Sequence, residues 1–589
     1  MKDFFKFTLA TITGIIVSCV VLFFISILIL FGMLSSSESE TQVSKNSVMM
    51  LDLRGTLSER SQDNPFEILL NEDETTYGLD DILSSIRKAK ENEDIKGIYL
   101  QSGSMSLGFA SMEEIRKALV DFKASGKFIV AYGDQYTQSL YYLASVADKV
   151  LLNPQGVIAW YGLASNPIFY KDLLEKIGVE MQIFKVGTYK SAVEPFIATE
   201  MSPANREQVT VFLNGIWEQI LTDVSESRGM SKEKLNAAAD EMMMFHLAAD
   251  CVEYGLADTL IYKNDVRNYL KNMVGIDADK HLPILSLKDM INVKKNVPKD
   301  KSGNIVAVYY AYGSIDGGSS RTGSEEGIYS EQMIRDLRKL KEDKDVKAVV
   351  LRVNSPGGSA FGSEQIWYAV TELKKEKPVI VSMGDYAASG GYYISCNADS
   401  IVADPTTLTG SIGIFGMFPN TKGLTDKIGL SFDVVKTNTY SDFGAIGRPM
   451  NDGEKALMQN TVNAGYELFV KRCAEGRGMT TDEIKAIAEG RVWTGAKAKE
   501  LGLVDELGGL DKALDIAIAK AGIEAYTVIS YPAKKGFFEA LMNTNPGGFI
   551  QSHMLKGKIG EIYNQFEWLN NLENCDKIQA RIPFELNIN

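Results

Sequence analysis

Ser389 stands where a run of β-branched and apolar residues gives way to small ones, in the stretch MGDYAASGGYYIS at 383–395. The residues before it, PVIVSM at 378–383, have the length and composition of a buried strand, and 392–398 can continue as a helix. A serine at such a junction lies beside free backbone N–H groups and the positive end of the helix dipole. The N–H of Gly390 is thus a candidate donor to an oxyanion formed by attack of Ser389. A serine before two glycines also fits an N-cap or a close-packing residue. A second stretch, AVVLRVNSPGGSA at 348–360, reads as a strand over 348–353 and a turn at Pro356, Gly357 and Gly358. Consecutive glycines leave a backbone N–H unobstructed, which makes Gly358 the candidate second oxyanion donor.

The base for such a serine is not an obvious histidine. The three histidines, His246, His281 and His553, are far from Ser389 in sequence and follow no metal-ligand spacing. So few histidines argue against a Ser-His-Asp arrangement. The five cysteines, at 19, 251, 396, 473 and 575, form no CxxC and suggest neither a disulfide framework nor a metal site. Nothing in the sequence requires a metal or another cofactor.

The elements that must position these residues sit in a chain of 589 residues, long enough for two or more domains. With 62 basic against 76 acidic residues the net charge is −14, which argues against nucleic acid as a partner. A hydrophobic content of 45% supports folded domains. Residues 7–33 carry no charge and are long enough to cross a bilayer core. The run exceeds the apolar region of a cleaved signal peptide and lacks a small-x-small cleavage site, so an uncleaved anchor is expected. Lys2 and Lys6 precede it and SSSESE follows, which places the bulk of the chain outside the cytoplasm.

Beyond a polar spacer at 34–46 the chain repeats itself. Asp94-Ile95-Lys96 recurs as Asp345-Val346-Lys347, 251 positions on, and GDQYTQSLYYLASVADKVLLNP from Gly133 recurs at the same shift as GDYAASGGYYISCNADSIVADP from Gly384. Two copies of one α/β unit are expected, at 47–265 and 303–530, each alternating short apolar strands with amphipathic helices such as 330–341. Residues 1–6 would be the cytoplasmic N-terminus, 266–302 a connecting segment and 531–589 a C-terminal extension. The copies differ where chemistry is expected. Opposite Ser389 stands Gln138, and opposite Gly357 and Gly358 stand Ser106 and Leu107; in exchange the first copy has Lys190, in VGTYKSAVEPF, where the second has Ser441. Each copy lacks what the other supplies.

Together, VNSPGGS, MGDYAASGGYYIS, ADPTTLTGSIGIFG, GRVWTGAKAKELGLVDELGG and VGTYKSAVEPF closely resemble the long, duplicated form of bacterial signal peptide peptidase A. The resemblance implies tandem ClpP/crotonase-like α/β domains and a serine–lysine dyad, with Ser389 as nucleophile and Lys190 as general base. It also implies remnant signal peptides as substrates, a homotetramer, and a single-pass location in the inner membrane with the catalytic domains on the periplasmic side. A lysine serves as base near neutral pH only when burial lowers its pKa, and the neighbours Tyr189, Ala192 and Val193 suit a buried amine. A surface lysine paired with Glu194 is the plainer alternative.

Ser411, in LTGSIG, reads as a turn residue whose hydroxyl could instead hold the lysine amine. Asp385 and Asp134 match across the copies, which suggests a shared structural role, and the closing stretch 490–509 reads as structural as well. Phe415, Met417 and Phe418 fit either core packing or an apolar substrate pocket. The tail segment 559–572 has apolar residues at helical spacing, suited to packing on the body, a neighbour or lipid. Two other readings stay open at this level: an acyl-CoA enzyme on the same fold, and a non-catalytic membrane scaffold.

Overall fold

The computed structural model describes residues 2–37, 40–61, 76–294, 302–316, 327–534 and 577–582. Two sheets form its body. The first is parallel throughout, in the order β2 (Thr76–Gly78), β1 (Ser47–Ser58), β3 (Ile95–Ser106), β4 (Phe128–Tyr136), β5 (Lys149–Ile158) and β7 (Thr259–Leu260), with β8 (Ile284–Leu285) also on β1. The second runs β16 (Val492–Thr494), β14 (Leu408–Gly410), β12 (Val379–Ala388), β10 (Val346–Ser355), β9 (Ile305–Tyr312) and β18 (Thr527–Tyr531). Beside β12 lies β13 (Ser400–Ala403), which carries β17 (Glu506–Leu507). The order β1-β3-β4-β5 recurs as β9-β10-β12-β13, the duplication expected from the repeat.

The strands read as continuous apolar runs because both sheet faces are covered. In β10, Val349, Val350, Leu351 and Val353 are all fully buried. Helices Ser330–Glu342 and Ala360–Lys374 cover one face, and helix Leu510–Ala521 lays Ala513 and Ala517 against Val306, Val308 and Val350 on the other. The first copy repeats this layering with helices Leu79–Glu91 and Phe109–Lys123 on one side and Lys263–Val274 on the other.

A third, antiparallel sheet crosses the boundary between the copies. Its order is β11 (Gly357–Ser359), β19 (Ile578–Arg581), β15 (Phe415–Asn420) and β6 (Glu180–Lys185). One strand comes from the first copy, two from the second and one from the C-terminal extension. Ion pairs with at least one buried partner join the copies elsewhere. Arg352, 1% exposed, holds Glu59 at 2.8 Å and Glu114 at 2.5 Å, and Lys117 holds Asp404 at 2.6 Å.

The connecting segment expected at 266–302 is not a plain linker. Helix Lys263–Val274 buries Val266 and Leu270 on the first sheet, and β8 extends that sheet beside β1. The N-terminal helix spans Lys2–Ser37 and presents Phe7, Ile15 and Leu22 to its surroundings. Side chains over much of its second half lie outside the described residues, and among the described residues no helix is long and apolar enough to cross a membrane. The tail segment 559–572, with its apolar residues at helical spacing, also lies outside them.

Candidate active site

Ser389 ends the strand-to-helix junction anticipated at 383–395. Strand β12 runs to Ala388, and helix Gly390–Ser395 begins one residue after the serine. The sharp turn forces Ser389 to φ 55° and ψ −112°, a conformation a side-chain-bearing residue adopts at a cost of about 1–3 kcal/mol. Its N–H donates to the Gly410 carbonyl at 2.8 Å and its carbonyl accepts from the Tyr393 N–H at 2.8 Å, which pins the turn.

Lys190 reaches this serine from the first copy. The Lys190 Nζ and Ser389 Oγ are hydrogen-bonded at 2.8 Å, and Nζ also lies 3.0 Å from Ser411 Oγ and 3.2 Å from the Ser411 carbonyl oxygen. Both side chains are shut away from solvent, Lys190 at 1% exposure and Ser389 at 0%. Burial alone pushes the Lys190 amine well below the ordinary lysine value. The surface pairing with Glu194 does not occur: that carboxylate accepts from Ser202 and Asn205 instead.

The lysine is delivered by the chain just after β6, and the stretch 489–492 clamps it. The Tyr189 N–H donates to the Glu489 carbonyl at 2.9 Å, and a Cβ on Gly490 would lie 2.7 Å from the Lys190 Cβ, so only glycine admits the segment. Gln208 donates to the Tyr189 carbonyl at 3.1 Å and to Ser191 Oγ at 3.0 Å, while its Oε1 accepts from the Val492 N–H at 3.2 Å. The closing stretch therefore positions the lysine, a task its glycine-rich sequence did not reveal. Gly490 was the available signal, as a residue required where two segments approach closely. Gln208 gave none.

Gly358 and Gly390, from β11 and the helix after Ser389, converge on a carbonyl of the C-terminal extension. Gly358 pairs with Ala580 in the β11–β19 ladder. The Ile582 N–H donates to the Pro356 carbonyl at 2.9 Å, and alternation along an antiparallel pair makes Gly358–Ala580 the next hydrogen-bonded pair. A Cβ on Gly390 would come 3.2 Å from that same Ala580 oxygen, and one on Gly357 would overlap it. Ala580 is fully buried and Ile582 nearly so, so this strand fills the cleft between β11 and β15. Nothing in the periodicity of the tail foretold it.

The remaining candidates fall on either side of the divide between chemistry and structure. Gln138 occupies the counterpart of Ser389 at the start of helix Gln138–Ala144, where its amide donates to the Gly162 carbonyl at 2.9 Å and accepts from the Tyr161 and Gly162 N–H groups. Ser441, the counterpart of Lys190, is exposed. Asp385 accepts from the Ser111 N–H at 2.9 Å and its hydroxyl at 2.7 Å, capping a first-copy helix, whereas Asp134 is exposed and accepts from Tyr132 and Asn153. Their roles are structural but not shared. Phe415 and Met417 pack in a cluster with Met181, Val193 and Phe196, and Phe418 meets Phe184 edge-on.

A family model described as Peptidase family S49 matches residues 121–277 and 371–524, once in each copy. Protease 4 of Salmonella typhi is 36% identical over 568 residues, covering 93% of this chain and 90% of its own. Protease 4 of Haemophilus influenzae is 34% identical, covering 86% and 85%. The chloroplastic serine protease SPPA of Arabidopsis thaliana is 34% identical, covering 82% of this chain and 70% of its own. A solved ClpP1 structure from Listeria monocytogenes matches 35% of this chain and 94% of that one, at 16% identity and a TM-score of 0.24. The paired matches and the relatives aligned along most of the length place the chain in peptidase family S49, as a serine protease.

Proposed function

We propose that Ser389 is the nucleophile and Lys190 the general base of a membrane-anchored endopeptidase that cleaves hydrophobic peptides, remnant signal peptides foremost. The observation that carries this reading is the triangle around the Lys190 amine. A neutral amine has two N–H bonds and one lone pair. Ser411 Oγ and the Ser411 carbonyl, at 3.0 and 3.2 Å, suit the two N–H groups, which leaves the lone pair for the Ser389 hydroxyl at 2.8 Å. Burial favours the neutral form of the amine.

In the reaction, the Ser389 hydroxyl gives its proton to Lys190 as Oγ bonds to the peptide carbonyl carbon. The N–H groups of Gly358 and Gly390 stabilise the resulting oxyanion. Collapse breaks the C–N bond, and the leaving amine takes the proton from Lys190. Water, deprotonated by Lys190, then attacks the acyl-enzyme; the carboxylate product leaves and Ser389 regains its proton. The strand β19 supports a peptide as the ligand, since it lies extended between β11 and β15 with the Ala580 carbonyl toward both glycines.

The anchor would be 7–33, in the cytoplasmic membrane, with both copies on the extracytoplasmic side, as the charge-free run and the preceding Lys2 and Lys6 suggest. Family resemblance supports a homo-oligomer, a tetramer, around this site. The full chain in detergent, offered a leucine-rich signal peptide, is expected to cleave it, and Ser389→Ala and Lys190→Ala are each expected to stop cleavage while remaining folded. Cleavage by a folded Lys190→Ala chain at the parental rate would overturn the dyad.

A further inference from the structure

Helix Gly390–Ser395, which opens with the oxyanion donor Gly390, lies on the long helix Asp452–Arg477, and their contact can be followed residue by residue. The rings of Tyr393 and Phe469 stack with centroids 4.3 Å apart. A Cβ on Gly476 would overlap the Cys396 carbonyl oxygen, so the two backbones touch there. Residues 469, 473 and 476 share one face of a helix. Cys473 therefore faces the segment 393–396 between those two contacts, and its thiol is hydrogen-bonded to Cys396. Both cysteines are fully buried, and Cys396 Sγ also donates to the Tyr393 carbonyl at 3.2 Å.

The first copy closes the same junction without sulfur. The shift of 251 sets Ser145 opposite Cys396 and Arg116 opposite Trp367. With Arg228-Gly229-Met230 aligned on Arg477-Gly478-Met479, Val224 stands opposite Cys473 and Ser227 opposite Gly476. Buried Arg116 ties the two first-copy helices together. It donates to Ser145 Oγ at 2.8 Å and, on helix Pro203–Arg228, to the Asp223 carbonyl and Ser227 Oγ at 2.6 Å each. With Trp367 for the guanidinium and Gly476 for the serine, that tie does not recur in the second copy. The hydrogen bond from Tyr393 Oη to Glu364 at 2.7 Å and the ion pair of Glu364 with Arg472 at 2.6 Å lie at the partly exposed rim, and the two sulfurs hold the interior.

We propose that Cys396 and Cys473 are joined as a disulfide in the mature enzyme, stapling the helix that carries Gly390 to helix Asp452–Arg477. The inference rests on the extracytoplasmic placement given above, since disulfides persist in oxidising compartments. Once the chain is folded, burial holds the Cys473 thiol well above its ordinary pKa and thiolate is scarce, so the bond forms during folding. The oxidant is a disulfide of the thiol–disulfide exchange class. The thiolate of one cysteine attacks it and forms a mixed disulfide; the thiolate of the other displaces the oxidant and forms the Sγ–Sγ bond. The oxidant leaves as a dithiol with both electrons and both protons. The loop closed in this way, 396–473, contains Ser411, whose hydroxyl holds the Lys190 amine. Cross-linking a long loop restricts the unfolded chain and so raises stability.

The full chain is taken from its native membranes, its free thiols are blocked with N-ethylmaleimide under denaturing conditions, and it is digested without reductant. Mass spectrometry is expected to find the Cys396 and Cys473 peptides cross-linked and two hydrogens lighter than their sum, with Cys251 blocked as a free thiol. In detergent the parent is expected to lose several degrees of melting temperature when dithiothreitol is added, whereas Cys396→Ala with Cys473→Ala melts at one temperature in both conditions. The side of the membrane is read separately, by labelling the exposed Lys280→Cys in spheroplasts with an impermeant maleimide. Maleimide on both Cys396 and Cys473 in a chain labelled from outside overturns the disulfide and leaves the placement standing. No labelling at Lys280→Cys overturns the placement and the disulfide with it. If the alanine pair fails to fold, the mass map decides.

Discussion

The amine of Lys190 and the hydroxyl of Ser389 meet at 2.8 Å although 199 positions separate them in the chain. Each is supplied by the copy that lacks the other. Replacing either should remove a step that the remaining group cannot perform. Lys190→Ala is expected to lower kcat by about 10²–10⁴-fold, the usual contribution of a positioned base. Ser389→Ala should abolish labelling by a fluorophosphonate, read by mass spectrometry, with an unchanged circular dichroism spectrum.

The same amine sets two pH dependences of defined sign. Its pKa in the folded chain is pushed well below 10.5 by burial, and only the neutral form accepts the serine proton. Cleavage should therefore rise with pH through that lowered pKa and level off above it. In the unfolded chain the amine holds its proton to about pH 10.4. Between the lowered folded value and about pH 10.4 the unfolded state binds more protons, so across that window this residue's effect on stability becomes more favourable as pH rises. Lys190→Met removes the effect, and calorimetry should find its gain in melting temperature largest at low pH and shrinking toward pH 10.

Ser411 bonds the lysine amine through both its hydroxyl and its carbonyl, and its own φ of 50° holds it in that pose. Ser411→Ala keeps the carbonyl contact and loses the other. A drop in kcat of about tenfold is expected, matching the roughly 1–1.5 kcal/mol of a typical hydrogen bond. A merely structural role would leave the pH profile in place, whereas a positioning role moves its midpoint.

Strand β19 occupies the cleft through a fully buried Ala580. A chain ending at residue 576, and equally Ala580→Arg in the whole chain, should open it. Both are expected to speed fluorophosphonate labelling of Ser389 and to lower KM for a peptide. Unchanged rates in both variants would mean that the strand leaves the cleft too readily to compete.

Much of this site was legible because the chain carries its own comparison. Gln138 against Ser389 and Lys190 against Ser441 stand out only once the constant shift is seen, and the glycines follow from what an oxyanion needs. What stayed hidden was fixed by contacts far apart in sequence. The pairing of β6 with β15 joins 180–185 to 415–420, and no local periodicity predicts which sheet a short strand will enter. The same holds for β19, four residues long, and for Gln208, an ordinary polar residue on the long helix Pro203–Arg228 until it meets Val492. Asp385 looked like the equal of Asp134 because register preserves residue type, while burial at the copy junction gave only one of them a helix to cap.

The guanidinium of Arg352 sits at 1% exposure in the second copy, and both carboxylates that neutralise it, Glu59 and Glu114, belong to the first. Stripping the partners from a buried charge costs about 3–5 kcal/mol, a large part of the stability of an ordinary domain. A protease that nicks the segment 295–301 would accordingly not release two halves, which should melt together in a single transition as a noncovalent pair. A gene truncated to its second copy would encode a fragment whose buried Arg352 has lost Glu59 and Glu114 and keeps Ser382, the Met383 carbonyl and the field of Asp404.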